Sequence, residues 1–356
     1  MRNRLLPEGY PLPQHANRVT LRSLAAVLLA VAAFATGCSK SPITPTPKTI
    51  EPAAAALSPP AETPPAGEVL PLGGNPQAAV IDAASGSLVV FTPGSTTGAE
   101  ANLTVFGRSE KPRKLRLPGP ATAVTVDGRG SAYAATRGGF FTVDLAAGTA
   151  TRTTVEGRQD TDFTAIARRA DGLLVLGSAD GTALTLTANN AVGGAASAFA
   201  RVDAIVAQGD TVVVLDRAQT SVTELKADGG AALALRAGLG ATTIASDPMG
   251  RVLVADTRGG QLLVFGVAPL MERQAYPVGG SPYGITGSKT LVWVSLTASN
   301  TVIGYDLATG IPMEKVRYPT VQQPNALAFD DATGTLYVVS GSGAGVQVIR
   351  NAGGTR

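Results

Sequence analysis

The chain is patterned as short apolar runs separated by polar turns that are rich in Gly, Asp and Asn. Residues 281–319 show the pattern most clearly, with an apolar run, a turn, a stronger apolar run, a polar turn, an alternating run and a last short run. Four such runs in about forty residues predict four short β-strands joined by tight turns. Because the same arrangement recurs along the chain, the pattern predicts a repeat protein.

The first two strands of this unit can be aligned at seven places. The turn between them falls near Asp82, Asp127, Asp171, Gly209, Asp247, Gly287 and Asp330. Asp and Gly suit these turns because they tolerate a positive φ. A period of about forty residues with four strands is typical of a propeller blade, and the 3.6-residue periodicity of helical repeats is absent. The sequence therefore predicts an all-β fold, a seven-bladed β-propeller of four-stranded antiparallel blades.

The seventh unit ends at residues 346–350, after its third strand, and only the tail 351–356 follows. The missing strand is predicted at the other end, because residues 67–74 precede the first unit and resemble residues 273–280, the fourth strand of the fifth unit. In a ring, an N-terminal strand that completes the last blade leaves no open edge. We therefore predict that the propeller spans 67–350 and closes in this way.

The units resemble the seven-bladed propellers of the YVTN/NHL type. The matching segments share a strand, a turn and a third strand like Asn-Thr-Val, and they are 252–265, 292–306 and 336–349. The resemblance covers the whole predicted propeller. It implies the fold far more specifically than any function.

The N-terminus has the pattern of a secretory leader. Residues 1–22 carry four Arg, and the uncharged apolar run 23–37 is too short for a membrane span but suits a signal peptide. The run ends in Ala-Thr-Gly-Cys at 35–38, which resembles the bacterial lipobox. The resemblance implies a lipoprotein signal peptide at 1–37, cleavage before Cys38 and acylation (palmitate) of that residue. The alternatives are an ordinary secreted protein with a free Cys and a retained signal anchor.

Residues 38–66 follow as a low-complexity segment that is rich in Pro. Pro-rich segments favour an extended conformation that rises about 3.1 Å per residue, so this one would reach roughly 90 Å. We predict a disordered tether that begins at the lipidated Cys38. The protein is then expected at the cell membrane or outer membrane, lipid-anchored and outside the cytoplasm.

Composition excludes much chemistry from the mature chain. The only His is His15, in the leader, and the only Cys is Cys38. The net charge is +3, and residues 1–37 hold four Arg and one Glu, which already gives +3. The mature protein is therefore near neutral, and no nucleic-acid partner is predicted. We predict no cofactor, no metal site and no catalytic residue, with zinc disfavoured and calcium left open.

The acidic residues near the hairpins are candidates for catalysis. Propellers that resemble streptogramin lyases or lactonases imply His or clustered carboxylates at the central channel, and no such cluster is visible. Asp127, Asp247, Asp330 and Asp331 fall in hairpin turns, where a solvent-facing turn role is the expectation. Trp293 lies in a strand run and is predicted to be core.

The loops around one mouth of the channel carry the candidate binding residues. These loops join second to third strands, and fourth strands to the next blade. The predicted ligand-binding residues are Arg137, Arg217, Arg258, Asp162, Tyr283 and Asn325. The three Arg could hold an anionic group or an acidic patch of a partner. The alternative is that they are solvated loop charges.

These observations predict a membrane-anchored, non-catalytic binding or scaffold lipoprotein of the bacterial cell envelope. Its propeller rim would bind a protein, anionic or glycan ligand. One alternative is a propeller hydrolase or lyase with a carboxylate-based site in the central channel. Another is an accessory subunit for the assembly of other envelope proteins.

Overall fold

A computed structural model describes residues 48–96, 98–108 and 111–353 of the chain. These residues form 28 β-strands and, within the described ranges, no helix. The strands make seven four-stranded antiparallel sheets, so the predicted fold is confirmed. No described segment is a helix with the length and hydropathy needed to cross a bilayer. The predicted leader, Cys38 and residues 39–47 lie outside the described residues.

In blades 1 to 6 the four strands follow one another in sequence order from the channel outward. Blades 1 and 2 contain β2 (Ala78–Asp82), β3 (Ser87–Thr92), β4 (Asn102–Phe106), β5 (Arg113–Arg116), β6 (Ala123–Val126), β7 (Ser131–Thr136), β8 (Gly139–Asp144) and β9 (Ala150–Thr154). Blades 3 and 4 contain β10 (Phe163–Arg168), β11 (Leu174–Ser178), β12 (Ala183–Leu186), β13 (Val192–Ala196), β14 (Ala204–Gln208), β15 (Thr211–Asp216), β16 (Ser221–Leu225) and β17 (Ala231–Arg236). Blades 5 and 6 contain β18 (Ala241–Ser246), β19 (Arg251–Asp256), β20 (Gln261–Gly266), β21 (Met271–Pro277), β22 (Pro282–Gly287), β23 (Val292–Leu296), β24 (Thr301–Asp306) and β25 (Met313–Pro319).

Blade 7 closes the ring with strands from both ends of the domain. It contains β26 (Pro324–Asp330), β27 (Thr335–Ser340) and β28 (Val346–Ile349), with β1 (Glu68–Leu70) as its outer strand. β1 pairs antiparallel with β28, and Glu68 lies opposite Val348 in the register. The predicted closure is confirmed, because the pairing covers the edge that β28 would otherwise expose.

The core is divided among the blade boundaries. Seven clusters of buried apolar side chains lie one between each pair of adjacent blades, including blades 7 and 1. Trp293 is fully buried between blades 6 and 7, where its ring stacks on Phe329 with centroids 5.8 Å apart and on Tyr318 with centroids 6.3 Å apart. The predicted core role of Trp293 is confirmed. Each blade is therefore stabilised mainly by its two neighbours.

The turn aspartates need one correction. Asp127 behaves as predicted, since its carboxylate accepts hydrogen bonds from the backbone N–H groups of its own turn. Asp247 and Asp330 make the same turn contacts but are only 4% and 5% exposed, so the solvent-facing prediction is wrong for them. They are buried because Asp247 packs against Gly287 of the next blade, and Arg108 of blade 1 lies 3.6 Å from the Asp330 carboxylate.

Candidate functional site

The inner strands of the seven blades line a central channel with a volume of about 910 Å³. Its walls are mostly Ala, Val, Ile and Thr side chains, and these positions are half-buried because one face of each inner strand looks into the channel. Among the described residues that line the channel, Asp203 is the one carboxylate, and Arg168 and Arg217 are the two cations. Within the described ranges, no group of three or more His, Cys, Asp or Glu side chains is placed to hold a metal.

β-bulges shape the mouth of the channel where the inner strands begin. In blades 3, 5, 6 and 7 the pairing of the first two strands shifts register within the first few residues. The residues skipped by the ladder include Tyr283 and Asn325, two of the predicted binding residues, and both line the channel. A bulge redirects a side chain and locally ends the regular pairing, so these positions are set apart from the strand proper. We call this end of the propeller the top rim.

Asp203 lies at the same mouth and is already engaged. Its carboxylate accepts a hydrogen bond from the Arg217 backbone N–H at 2.8 Å and pairs with the Arg201 guanidinium at 3.2 Å. Burial raises the pKa of the Asp203 carboxyl above its usual value, although the Arg217 N–H and the neighbouring arginines act in the opposite direction. It is a single carboxyl, whereas general acid and base catalysis normally divides those roles between two groups.

Arg137 and Asp162, both predicted to bind a ligand, bind each other on the rim of blades 2 and 3. Arg137 donates to the Asp162 carboxylate at 2.7 Å and lies 3.3 Å from Asp160. All three side chains are more than half exposed, so the contribution of these pairs to stability is small. The pairing leaves Arg137 with little unmatched positive charge.

Arg217 and Arg258 hold a segment that lies before the propeller. Arg258 donates to the Glu51 carbonyl at 2.7 Å, and Arg217 donates to the Ala53 carbonyl. The predicted anion site shared by Arg137, Arg217 and Arg258 stays a prediction, and the partners of the three guanidiniums give it no support.

Residues 50–66, which we call the strap, cross the top rim from blade 4 to blade 7. The strap starts at a hydrogen bond from the Ile50 N–H to the Ala218 carbonyl and ends at bonds of Ala66 with Pro319 and Gln347 before β1 begins. The prediction of a disordered tether over 38–66 is therefore wrong for residues 50–66. The part 38–47 lies outside the described residues. The strap has no regular secondary structure and almost no core of its own, and it is held by side chains of the rim.

Polar rim side chains form the groove for the strap. Their partners on the strap are mainly backbone groups, and the contacts are Ser281 Oγ with Ala56 N (3.1 Å), Gln323 Nε2 with Ala56 O (3.1 Å), Gln323 Oε1 with Ser58 N (3.1 Å), Asn300 Nδ2 with Pro59 O (2.8 Å) and Gln322 Nε2 with Pro59 O (2.9 Å). The Ser58 hydroxyl adds two bonds, to the Thr297 carbonyl at 2.7 Å and from the Gln323 N–H at 2.8 Å. The groove thus binds an extended backbone with little dependence on side-chain identity.

One strap side chain is buried. Ala53 is 6% exposed and sits over Gly240, where a Cβ on the glycine would come within 3.0 Å of the Ala53 Cβ. The missing side chain of Gly240 therefore leaves room for both Arg258 and Ala53. Leu57, the largest apolar side chain near the centre of the strap, is 91% exposed.

Sequence reasoning identified Arg217 and Arg258 but missed the uncharged residues that hold the strap. Ser281, Asn300 and Gln323 lie in the same predicted rim loops. All three have a positive φ, at 60°, 46° and 53°, a conformation that non-glycine residues adopt at a cost. Sequence alone carries no mark of that conformation when the residue is not glycine.

Comparisons with known proteins give the fold only. No family model and no curated protein matches the chain. Among solved structures, a chain of the mitotic checkpoint complex has a TM-score of 0.67 at 13% identity, covering 84% of this chain and 98% of that one. A streptogramin B lyase has a TM-score of 0.64 at 12% identity, covering 80% and 96%. A hydrazine synthase chain of Kuenenia stuttgartiensis has a TM-score of 0.65 at 13% identity, covering 81% and 98%. At these identities the likeness is one of fold, and the chain is a seven-bladed β-propeller.

Proposed function

We propose that the chain is a lipid-anchored, non-catalytic binding module of the bacterial cell envelope, and that its top rim holds a protein partner. The observation that carries this proposal is the groove itself. Rim side chains from blades 4 to 7 already hold an extended segment through its backbone. A surface that binds one extended peptide segment has the donors and acceptors to bind another.

The make-up of the channel supports a binding role over catalysis. The one lining carboxylate, Asp203, is engaged with Arg201 and Arg217, and the only His of the chain is in the predicted leader. An acid and base pair for hydrolysis or elimination would need a second titratable group near the first.

The strap also changes the expected reach of the anchor. With residues 50–66 seated on the rim, only the stretch from Cys38 to Ile50 is left to span the distance to the membrane. At about 3.4 Å per residue, that stretch reaches roughly 40 Å, less than half of the roughly 90 Å expected for a free tether. Under this proposal the top rim stays close to the membrane surface.

Lipid anchoring is tested by phase partitioning of the full-length protein expressed in a bacterium. Wild type is expected in the detergent phase with acyl chains on the N-terminal peptide by mass spectrometry. The Cys38→Ser variant is expected to lack both properties. A Cys38→Ser protein that still partitions with detergent would contradict the lipid anchor.

Partner binding is tested by affinity purification from native membranes. The epitope-tagged wild type is compared with the Arg217→Ala/Arg258→Ala variant and, as a matched control, with Arg137→Ala on the opposite side of the rim. Envelope proteins are expected to co-purify with wild type and the control, and to be depleted with the double variant, whose groove is disturbed. Identical sets of co-purified proteins from all three would argue against the rim as the binding surface.

The second candidate is a lyase or hydrolase that acts in the channel, and the raised pKa of Asp203 at the channel mouth is the observation that favours it. One of the similar solved structures is a streptogramin B lyase, and another is a catalytically inactive histidine-to-alanine variant of a virginiamycin B lyase from Staphylococcus aureus with quinupristin. The described part of this chain contains no His. Incubation with quinupristin, followed by liquid chromatography and mass spectrometry, is expected to leave the compound unchanged. Turnover that is lost in Asp203→Asn would establish the enzyme instead.

A further inference from the structure

We propose that the strap groove is a site for an extended, alanine- and proline-rich peptide of a partner, and that residues 50–60 occupy it as an internal competitor. This inference deepens the proposed function, and it rests on the top rim being the binding surface. It names the chemistry of the partner segment and a means of regulation.

The groove contacts its occupant mainly through side-chain hydrogen-bond donors. Five rim side chains donate hydrogen bonds to carbonyls of the strap, and these donors are Arg217, Arg258, Asn300, Gln322 and Gln323. Carbonyl groups are common to all residues, including Pro, which lacks an N–H to donate. A groove that supplies mainly donors therefore suits a Pro-rich segment, whose carbonyls outnumber its N–H groups.

The selectivity of the groove resides at the position of Ala53. Ala53 is the one strap residue that is buried, and it packs against Gly240, where a side chain would crowd both Arg258 and Ala53. The neighbouring Ala54 is exposed. The site therefore requires a small residue at the position of Ala53 and tolerates variety at the others, apart from a hydroxyl at the place of Ser58, which bonds to the rim.

The strap is held in the groove by interactions that can exchange. It buries little apolar surface, since Leu57 points into solvent and Ala53 is small. Hydrogen bonds exchanged with water contribute little net free energy, and ordering the strap costs conformational entropy. A segment held mainly by such bonds can leave the groove, and its covalent attachment returns it at a high effective concentration.

The probe is a fluorescent peptide with the sequence of residues 48–62, KTIEPAAAALSPPAE, titrated onto the full-length protein by anisotropy. Ala53→Glu weakens the docking of the protein's own strap. This variant is therefore expected to bind the peptide at least tenfold more tightly than wild type. The Ala54→Glu protein is the matched control and is expected to behave as wild type. A peptide that carries Glu at the position of Ala53 is expected not to bind.

Two further readouts report on the position of the strap and on the folding of the propeller. A spin label at Leu57→Cys in a Cys38→Ser background reports whether the strap has left the groove, and the emission of Trp293 reports whether the propeller is folded. A label released by Ala53→Glu without peptide binding would overturn the proposal. If Ala53→Glu does not release the label, a second variant, Ala53→Glu/Ser58→Gly, also removes the two hydrogen bonds of the Ser58 hydroxyl. A strap that stays in the groove of this variant would also overturn the proposal.

Sedimentation of the wild-type protein distinguishes a second copy of this chain from another protein as the source of the bound segment. A dimer that forms with rising concentration and is lost in Ala53→Glu would identify a second copy of this chain as the donor of the peptide. A monomer that binds the probe would point to another envelope protein. Neither result depends on the membrane anchor, so a failure of the lipid proposal leaves the competition experiment interpretable.

Discussion

Gln323 links the strap to the start of blade 7, and replacing it tests the docking directly. Its side chain accepts from the Ser58 N–H and donates to the Ala56 carbonyl, both at 3.1 Å. A hydrogen bond of this kind contributes about 0.5–1.5 kcal/mol net, so the loss of two weakens docking by about 2 kcal/mol. That is roughly a 30-fold increase in the fraction of time that the strap is unseated.

The backbone of Gln323 allows two substitutions to be compared. Its φ of 53° lies in the left-handed region, which costs a non-glycine residue roughly 1 kcal/mol. Gln323→Gly and Gln323→Ala both remove the two bonds to the strap and a third bond to the Asn325 side chain, but only glycine relieves the strain. Both variants are expected to release the strap to a similar degree, with the Ala variant the less stable to denaturant by about 1 kcal/mol.

Hydrogen exchange followed by mass spectrometry measures the release. The amides of Ala56 and Ser58 donate to rim side chains and are expected to be protected in wild type. Their exchange should accelerate about 30-fold in both Gln323 variants. Gln77→Ala changes a rim glutamine of blade 1, which the strap does not reach, and should leave exchange unaltered. Wild-type protection of both amides in the Gln323 variants would refute the reasoning.

Further predictions concern the propeller itself. Trp293→Ala empties a fully buried site and is expected to lower the free energy of unfolding by about 3–5 kcal/mol, measured by circular dichroism in urea. Asp256→Ala leaves three backbone N–H groups without their acceptor and is expected to cost about 3 kcal/mol in the same assay, whereas Asp256→Asn should cost less. Because the pKa of Asp203 is raised on folding, the folded state holds that proton more tightly, and stability should fall as the pH rises from the unfolded value of 3.8 through the folded one. Subtracting the melting profile of Asp203→Asn from that of wild type isolates this loss. The Glu68→Cys/Val348→Cys variant places two cysteines opposite each other in the register, and they should form a disulfide that speeds migration on a non-reducing gel. A variant that forms no disulfide would count against the closure.

The fold was predictable because each blade repeats the same local chemistry. A turn between the first two strands recurs at seven places. The last unit lacks a fourth strand, and the strand before the first unit, β1, supplies it. What the repeat could not show is the environment of each copy. Asp127 and Asp247 look alike in sequence, yet Asp247 is buried because a neighbouring hairpin packs over it. Burial of this kind depends on packing between adjacent blades, so the sequence of a single blade does not reveal it.

The strap was mispredicted for a related reason. Its composition lacks the apolar residues that would form a core, and from composition alone disorder is the sound expectation. The interactions that order it belong to Arg217, Arg258 and Gln323, more than 160 residues away in sequence, and they contact backbone atoms that every residue has. Only the three-dimensional arrangement of the rim brings these donors into one line.

The left-handed positions on the rim show where the copies have diverged. Immediately before the third strand, blades 2 and 5 place Gly138 and Gly260 at positive φ, where glycine has no strain. Blades 4 and 6 place Thr220 and Asn300 there instead. Thr220 donates to the Ala237 carbonyl within its own blade and so has a structural role, but Asn300 donates to Pro59 of the strap. Within the described part of the chain, the Asn300 side chain bonds only to the strap, so its strained conformation does not add to the stability of the propeller. Asn300→Gly should therefore leave the unfolding free energy nearly unchanged while loosening the strap, and a clear loss of propeller stability would show that Asn300 is structural as well.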